Sequence, residues 1–323
     1  MAPPLKFGIT WGLHPEIISP PEVVLSIAET VENLGFDSLW MGDHIAFHGG
    51  HYTECLTTLA AFAARTTRLT IGTSVYLLPL RTPGIAAKCA ATVDYLSGGG
   101  RFVFGIGVGG EGKEEFDLCG VPVNERGART DEAIEIIRKL WTGEKVSHEG
   151  RFWSFGETSQ SPPPPTPGGP PIWIGGRSDA ARKRAALIGD GYVSYLFSAS
   201  QFASGLSQIR EWANEAGREI DIDGGGWTPA HHAFIYIDDN EARALRIGTD
   251  YLTSRYNMDF KGIAEKYLIY GSSARCSEQF EKLADAGAAH FILRPVGNPE
   301  TDLDQMTLLA EEVVPKVRKR EGE

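Results

Sequence analysis

Apolar positions along the chain follow two alternating rhythms. Short apolar runs at residues 5–10, 37–41, 69–75, 101–109, 172–174, 191–194, 233–237 and 290–294 read as buried strands. Between them, apolar residues recur three and four apart, the helical spacing. The helices expected from that spacing are 21–34, 54–65, 82–96, 114–118, 130–141, 178–188, 200–216, 240–256, 276–286 and 303–317. Several carry terminal signals: Pro20-Pro21-Glu22 opens the first and Gly35 closes it. The segment TDEAIEIIRKLW begins with a Thr cap and acids and ends with bases, as the helix dipole prefers.

The stretch 69–116 sets the architecture. A strand, a helix closed by Gly98-Gly99-Gly100 and a second strand imply a parallel crossover unit. Eight strands alternating with helices favour a single (β/α)8 TIM barrel with insertions, spanning 1–323 as one domain, over an open doubly wound sheet. The first strand is not followed by a GxGxxG turn, which weighs against a dinucleotide-binding sheet. Residues 146–155 read as a hairpin turning at Glu149-Gly150, outside the main sheet. Residues 161–171, with seven of the 19 prolines, read as an extended surface loop.

Composition changes this picture little. A formal net charge of -11 argues against nucleic acid or an anionic membrane as the main partner. The four cysteines are scattered with no CxxC pair, so reduced thiols and a cytoplasmic protein are expected. The N-terminus has no signal-peptide pattern, and no apolar run approaches the ~20 residues of a membrane helix.

Candidate chemistry gathers where strands should end at the barrel mouth. Asp43-His44 follows the second strand, and imidazole suits proton transfer near neutral pH; a turn cap and a satisfied polar residue is the alternative. His44, His48 and His51 lie in a Gly-rich loop without a fixed helical face, so no metal site is expected. In Gly105-Ile106-Gly107-Val108-Gly109-Gly110-Glu111 the glycines would clear space for a planar ring or make a tight turn. Glu111 is the candidate second acid, whereas Glu114 and Glu115 read as first-turn helix acids. Gly175-Gly176-Arg177-Ser178 joins a strand to a helix N-terminus, where free N–H groups and a cation suit phosphate. Substrate-pocket candidates are Trp11, His14, Tyr76, Trp227, His231 and Arg294. An organic cofactor fits this set better than a metal or a Ser-His-Asp triad.

Several long motifs, in order, carry a resemblance. GFDSLWMGDH, LTIGTSVYLLPLRTPGIAAKCAATVDYLSGGGRFVFGIGVG, EFDLCGVPVNERGARTDEAIEIIRKLWTGE and PPIWIGG with the later GDGY together resemble the bacterial-luciferase-like flavin and deazaflavin oxidoreductases. IGTSV and DH look most like the branch using coenzyme F420 rather than FMN. The resemblance implies a barrel, commonly a homodimer, with the cofactor ring at the mouth and a cis peptide between Ser74 and Val75 behind it. It implies that Asp43 contacts the deazaflavin, that His44 stands near its reacting carbon, and that Leu77, Val108 and Gly109 line the ring or tail. It places the cofactor phosphate at Gly175, Gly176, Ser178 and Asp179, beside Arg177. One departure stands out: the sugar-phosphate dehydrogenases of this family have a catalytic Glu where this chain has Gly110. The expected activity is hydride transfer between F420 and a small organic substrate. An FMN- and O2-dependent monooxygenase and a non-catalytic flavin-binding protein are the alternatives.

Overall fold

The structure, a computed structural model, describes residues 4–11, 19–47, 51–110, 112–222 and 224–320. The chain begins β1 (Lys6–Trp11), α1 (Pro21–Asn33), β2 (Ser38–Met41), α2 (Cys55–Arg65), β3 (Thr70–Thr73), β4 (Tyr76–Leu77), α3 (Pro83–Leu96). It continues β5 (Phe102–Gly107), α4 (Lys113–Leu118), α5 (Arg126–Trp141), β6 (Val146–Glu149), β7 (Ser154–Thr158), β8 (Ile172–Gly175), α6 (Asp179–Ile188). Then come β9 (Gly191–Tyr195), α7 (Ala199–Glu215), β10 (Thr228–Ile237), α8 (Glu241–Tyr256), β11 (Leu268–Gly271), α9 (Ser273–Asp285), β12 (His290–Pro295), α10 (Pro299–Leu308) and α11 (Val314–Arg320).

The strands are hydrogen-bonded in the order β1-β2-β3-β5-β8-β9-β10-β12, and β12 pairs back to β1 in parallel. That closes the expected (β/α)8 barrel. β4 continues along β5 beyond β3, with Tyr76 opposite Ile106. β6 and β7 form the separate antiparallel hairpin, its turn shifted to residues 150–153, where the Gly150 N–H donates to the Trp153 carbonyl.

Other boundaries moved for identifiable reasons. Glu54 lies outside α2 as its cap, its carboxylate accepting from the Thr57 N–H at 2.7 Å. α5 starts at Arg126 rather than Thr130, because the 3-10 turn Val123–Glu125 runs straight into it. Thr130 is therefore no cap; its hydroxyl donates back to the Arg126 carbonyl at 2.8 Å. β10 begins five residues before the expected Ala233, and β11 was not foreseen. The expected helix 303–317 runs from α10 through a π-helical turn, Leu309–Val313, into α11.

The chain divides into two compact units. In the unit of residues 1–11, 30–39 and 176–323, Phe7, Phe280 and Phe291 pack with ring centroids 5.1 to 5.5 Å apart. Polar groups there find partners across the fold: the half-buried Asp37 accepts from the Phe7 N–H at 2.7 Å, and the buried Ser38 Oγ lies 2.7 Å from His290 Nε2. In the unit of residues 12–29 and 40–175, Trp40 stacks on Trp173 at 5.1 Å. Gly72 makes room for that ring: a Cβ there would lie 2.4 Å from Trp40 Cζ3. Among the described residues, no helix is long and apolar enough to cross a membrane.

Candidate active site

The end of β2 delivers Asp43 and His44, and each is held by a different element. Asp43 is buried, and Arg81 grips it in bidentate fashion, with Nη1–Oδ2 at 2.5 Å and Nη2–Oδ1 at 2.7 Å. The Leu77 N–H donates to Oδ2 at 2.8 Å. Burial drives the Asp43 carboxyl upward against the pull of Arg81; burial also opposes the Arg81 charge, but Asp43 outweighs it and holds the guanidinium above its ordinary value. The two-point geometry is that of an ion pair tying the segment after β2 to the residue that ends the 3-10 turn Leu78–Leu80 after β4. Arg81 also covers the Tyr76 ring, 4.4 Å from its centroid.

His44 is held from two sides. Its ring stacks on Phe47, centroids 4.1 Å apart, and its Nδ1 lies 3.0 Å from Glu115 Oε2. Glu115 belongs to α4, and its other oxygen accepts the N–H groups of Ile45 at 2.5 Å and Ala46 at 3.1 Å. Burial works to raise the Glu115 carboxyl, but the hydrogen bond and charge of His44 and the two N–H groups outweigh it and hold the carboxyl below its ordinary value.

The Ser74–Val75 peptide is cis, and the Ser74 N–H donates to the Met41 carbonyl at 2.7 Å, beside the β2 terminus. The glycines of β5 and β8 accommodate Val75. A Cβ on Gly107 would lie 2.3 Å from Val75 Cγ2, and one on Gly175 would lie 2.4 Å from Cγ1. Leu77 packs with Leu80 and Phe116. Gly109 has φ +63° and lies against Leu77 and Phe116, while Val108 is half-buried. One unit thus brings together Asp43, His44, Ser74, Val75, Leu77, Val108, Gly109 and Gly175. Glu111, His14 and His48 lie outside the described residues.

The glycine turn before α6 is described in the other unit. Gly176 has φ +144°, donates its N–H to the Val193 carbonyl at 3.2 Å and accepts from Tyr192 Oη at 2.6 Å. The Ser178 hydroxyl caps α6 by accepting from the Ala181 N–H at 3.2 Å. Asp179 pairs with Arg182, and Arg177 is exposed, 5.7 Å from the Tyr195 ring centroid.

The substrate-pocket candidates divide. Tyr76 packs on Phe104, Trp227 donates Nε1–H to the Gly189 carbonyl at 3.0 Å, and His231 meets Ser194 Oγ at 2.7 Å. These three are core residues. Trp11 is buried with its Nε1 unpartnered, and Arg294 contacts the Thr10 carbonyl and Tyr251 Oη. No group of His, Cys, Asp or Glu among the described residues could hold a metal ion. Sequence reasoning missed Arg81 and took Glu115 for an ordinary helix acid. Both stand within the motifs quoted above, but their roles are not legible there, because their partners lie 38 and 71 positions away.

Comparison with known proteins gives a consistent set of likenesses. The luciferase-like monooxygenase family model matches residues 8–314. An F420-dependent glucose-6-phosphate dehydrogenase of Nakamurella multipartita is 34% identical over 226 residues, 68% of this chain. That match spans 65% of the relative's own length. A protein of the same name from Microbacterium testaceum is 28% identical over 99% of both chains. Among solved structures, the monooxygenase RslO1 from Streptomyces bottropensis superposes with a TM-score of 0.82 at 26% identity, covering 97% of this chain and 99% of that one.

Proposed function

Because the chain belongs to the luciferase-like monooxygenase family, we propose that it is an oxidoreductase moving a hydride between coenzyme F420 and a small organic substrate. The observation that carries this reading is a single imidazole, His44, held at the end of β2 beside the Ser74–Val75 turn. The F420-dependent names of the relatives support the cofactor. The residues fit a planar heterocycle: Val75, Leu77 and Val108 offer apolar surface, and Gly109 adds no side chain. F420, when bound, supplies the carbon that carries the hydride.

The chain's own part is positioning and proton transfer. When a substrate hydroxyl carbon gives up hydride, His44 accepts the hydroxyl proton; in the reverse direction the imidazolium returns it. Asp43, Ser74, Val75, Leu77, Val108 and Gly109 form the proposed ring site. Gly175, Gly176, Arg177, Ser178 and Asp179 are proposed to receive phosphate, with the α6 N-terminus providing N–H donors. Glu111 is the proposed second acid. Gly110, in place of the sugar-phosphate dehydrogenases' catalytic Glu, argues for a substrate other than glucose 6-phosphate.

The whole chain is proposed as one domain, since the family model spans nearly all of it. A homodimer is proposed from the outer face of α3, where Ile85, Cys89, Tyr95 and Leu96 are exposed at helical spacing. Leu96→Glu should yield monomers by light scattering if that face is the interface. A cytoplasmic location accords with the four free cysteines.

Fluorescence titration of the purified protein with F420 and with FMN tests the cofactor. Tight FMN binding without measurable F420 binding would refute this reading. An FMN-dependent monooxygenase is the second reading, favoured by the likeness to RslO1. Turnover under strict anaerobiosis excludes it.

A further inference from the structure

We propose that Glu115 is a positioning residue that fixes the tautomer and orientation of His44, leaving Nε2 as the nitrogen that exchanges the substrate proton. The inference rests on the acid/base reading of His44 and adds to it a residue and a named atom. Three donors converge on the Glu115 carboxylate, all from the segment that carries His44. They are His44 Nδ1 at 3.0 Å and the N–H groups of Ile45 at 2.5 Å and Ala46 at 3.1 Å. The Glu115 side chain is 2% exposed and that of His44 is 11% exposed.

An ionised carboxylate has no proton to give. The nitrogen facing it must therefore carry the hydrogen, and in the neutral ring the lone pair is left at Nε2. Carboxylate, imidazole and reacting group are then arranged as in other orienter–base pairs, where the acid keeps the ring in one tautomer and stabilises the imidazolium without itself being protonated. Phe47, stacked 4.1 Å away with its plane 15° from that of the imidazole, blocks one ring face. The two backbone donors give Glu115 a second duty, holding the turn after β2 against α4. A test must separate the two duties.

Glu115→Gln does so. Its amide oxygen still accepts from Ile45 and Ala46, while its NH2 faces His44 Nδ1, where it donates and favours the opposite tautomer. Turnover of the holoenzyme should fall ~10²-fold or more, with F420 affinity and melting temperature close to the parent's. In ¹⁵N-histidine NMR spectra of the cofactor-free protein, the His44 lone-pair signal should be at Nε2 in the parent and move to Nδ1 in the variant. In a His44→Ala background, Glu115→Gln should cost no further turnover.

Parental turnover in Glu115→Gln, alongside a large loss in His44→Ala, would overturn the positioning role and leave the acid/base reading standing. Additive losses in the double variant, or a joint fall in turnover, affinity and melting temperature, would make Glu115 a structural residue only. Unchanged turnover in His44→Ala would overturn the acid/base reading itself. The NMR signal would still report whether Glu115 sets the tautomer.

Discussion

Gly107→Ala puts the packing behind the Ser74–Val75 turn to a direct test. The new methyl would stand 2.3 Å from Val75 Cγ2 and 3.3 Å from its Cβ. Carbon atoms pack at roughly 3.5–4.0 Å, so the valine must retreat by more than an ångström. The other methyl, Cγ1, sits over Gly175, 2.4 Å from where a Cβ would stand, so moving Cγ2 off Gly107 disturbs the packing of the whole side chain. Overpacking of this kind costs about 1–3 kcal/mol. If the whole cost appeared at the cofactor face, affinity would fall about 5- to 150-fold. Thermal melts and F420 titration should be run on Gly107→Ala, Val75→Ala and the double variant. Removing the valine methyls should recover most of the loss, giving a coupling of about 0.5–3 kcal/mol. Parental melting temperature and affinity in Gly107→Ala would refute the reasoning.

Arg81→Met should lower the stability measured by urea unfolding by about 3–5 kcal/mol, since it strands the buried Asp43 carboxylate without its partner; a loss under about 1 kcal/mol would mean the pair is not held as described. Gly176→Val should raise the F420 dissociation constant before it changes turnover, because φ +144° is unfavourable for a branched residue and its Cβ would lie 2.7 Å from Ala181 Cβ; an unaltered constant would remove this turn from the cofactor site. Burial lowers the pKa of His231 to about 4 and of His290 to about 3, below the ordinary 6.5. The unfolded chain therefore takes up these protons first as pH falls below about 6.5, and each histidine should subtract up to about 1.4 kcal/mol per pH unit until its folded-state value is reached. Urea melts between pH 7.5 and 5 should show this decline, and a flat profile would contradict it.

The alternation of strands and helices was legible because each barrel strand is a short apolar run and each helix repeats at its own period. β11 escaped although β2, β3 and β8 are equally short: eight runs already filled a barrel, and LIYG, between α8 and α9, pairs only with β10 and adds a strand beyond those eight. The early start of β10 was obscured by Pro229, His231 and His232, polar or strand-breaking residues that tertiary contacts nonetheless accommodate. At the candidate site, the residues that begin or end a strand announced themselves, as Asp43, His44 and the β5 glycines did. What those glycines accommodate could not be read: their neighbour is a valine from another turn, and spacing along a chain says nothing of it. Glu115 was hidden for the same reason, its charge looking like a helix-dipole acid until α4 was placed beside residues 44–46.

β10 has a further consequence. One edge of it pairs with β9 through residues 228–232 and with β11 through residues 234–237, while its opposite edge stays with β12. The five residues 228–232 therefore carry the ladder to β9 that closes the barrel, while residues 234–237 hold β11 outside that ladder. Disruption of β11 would leave the closing ladder in place, whereas loss of the 228–232 pairing would break the ring of strands.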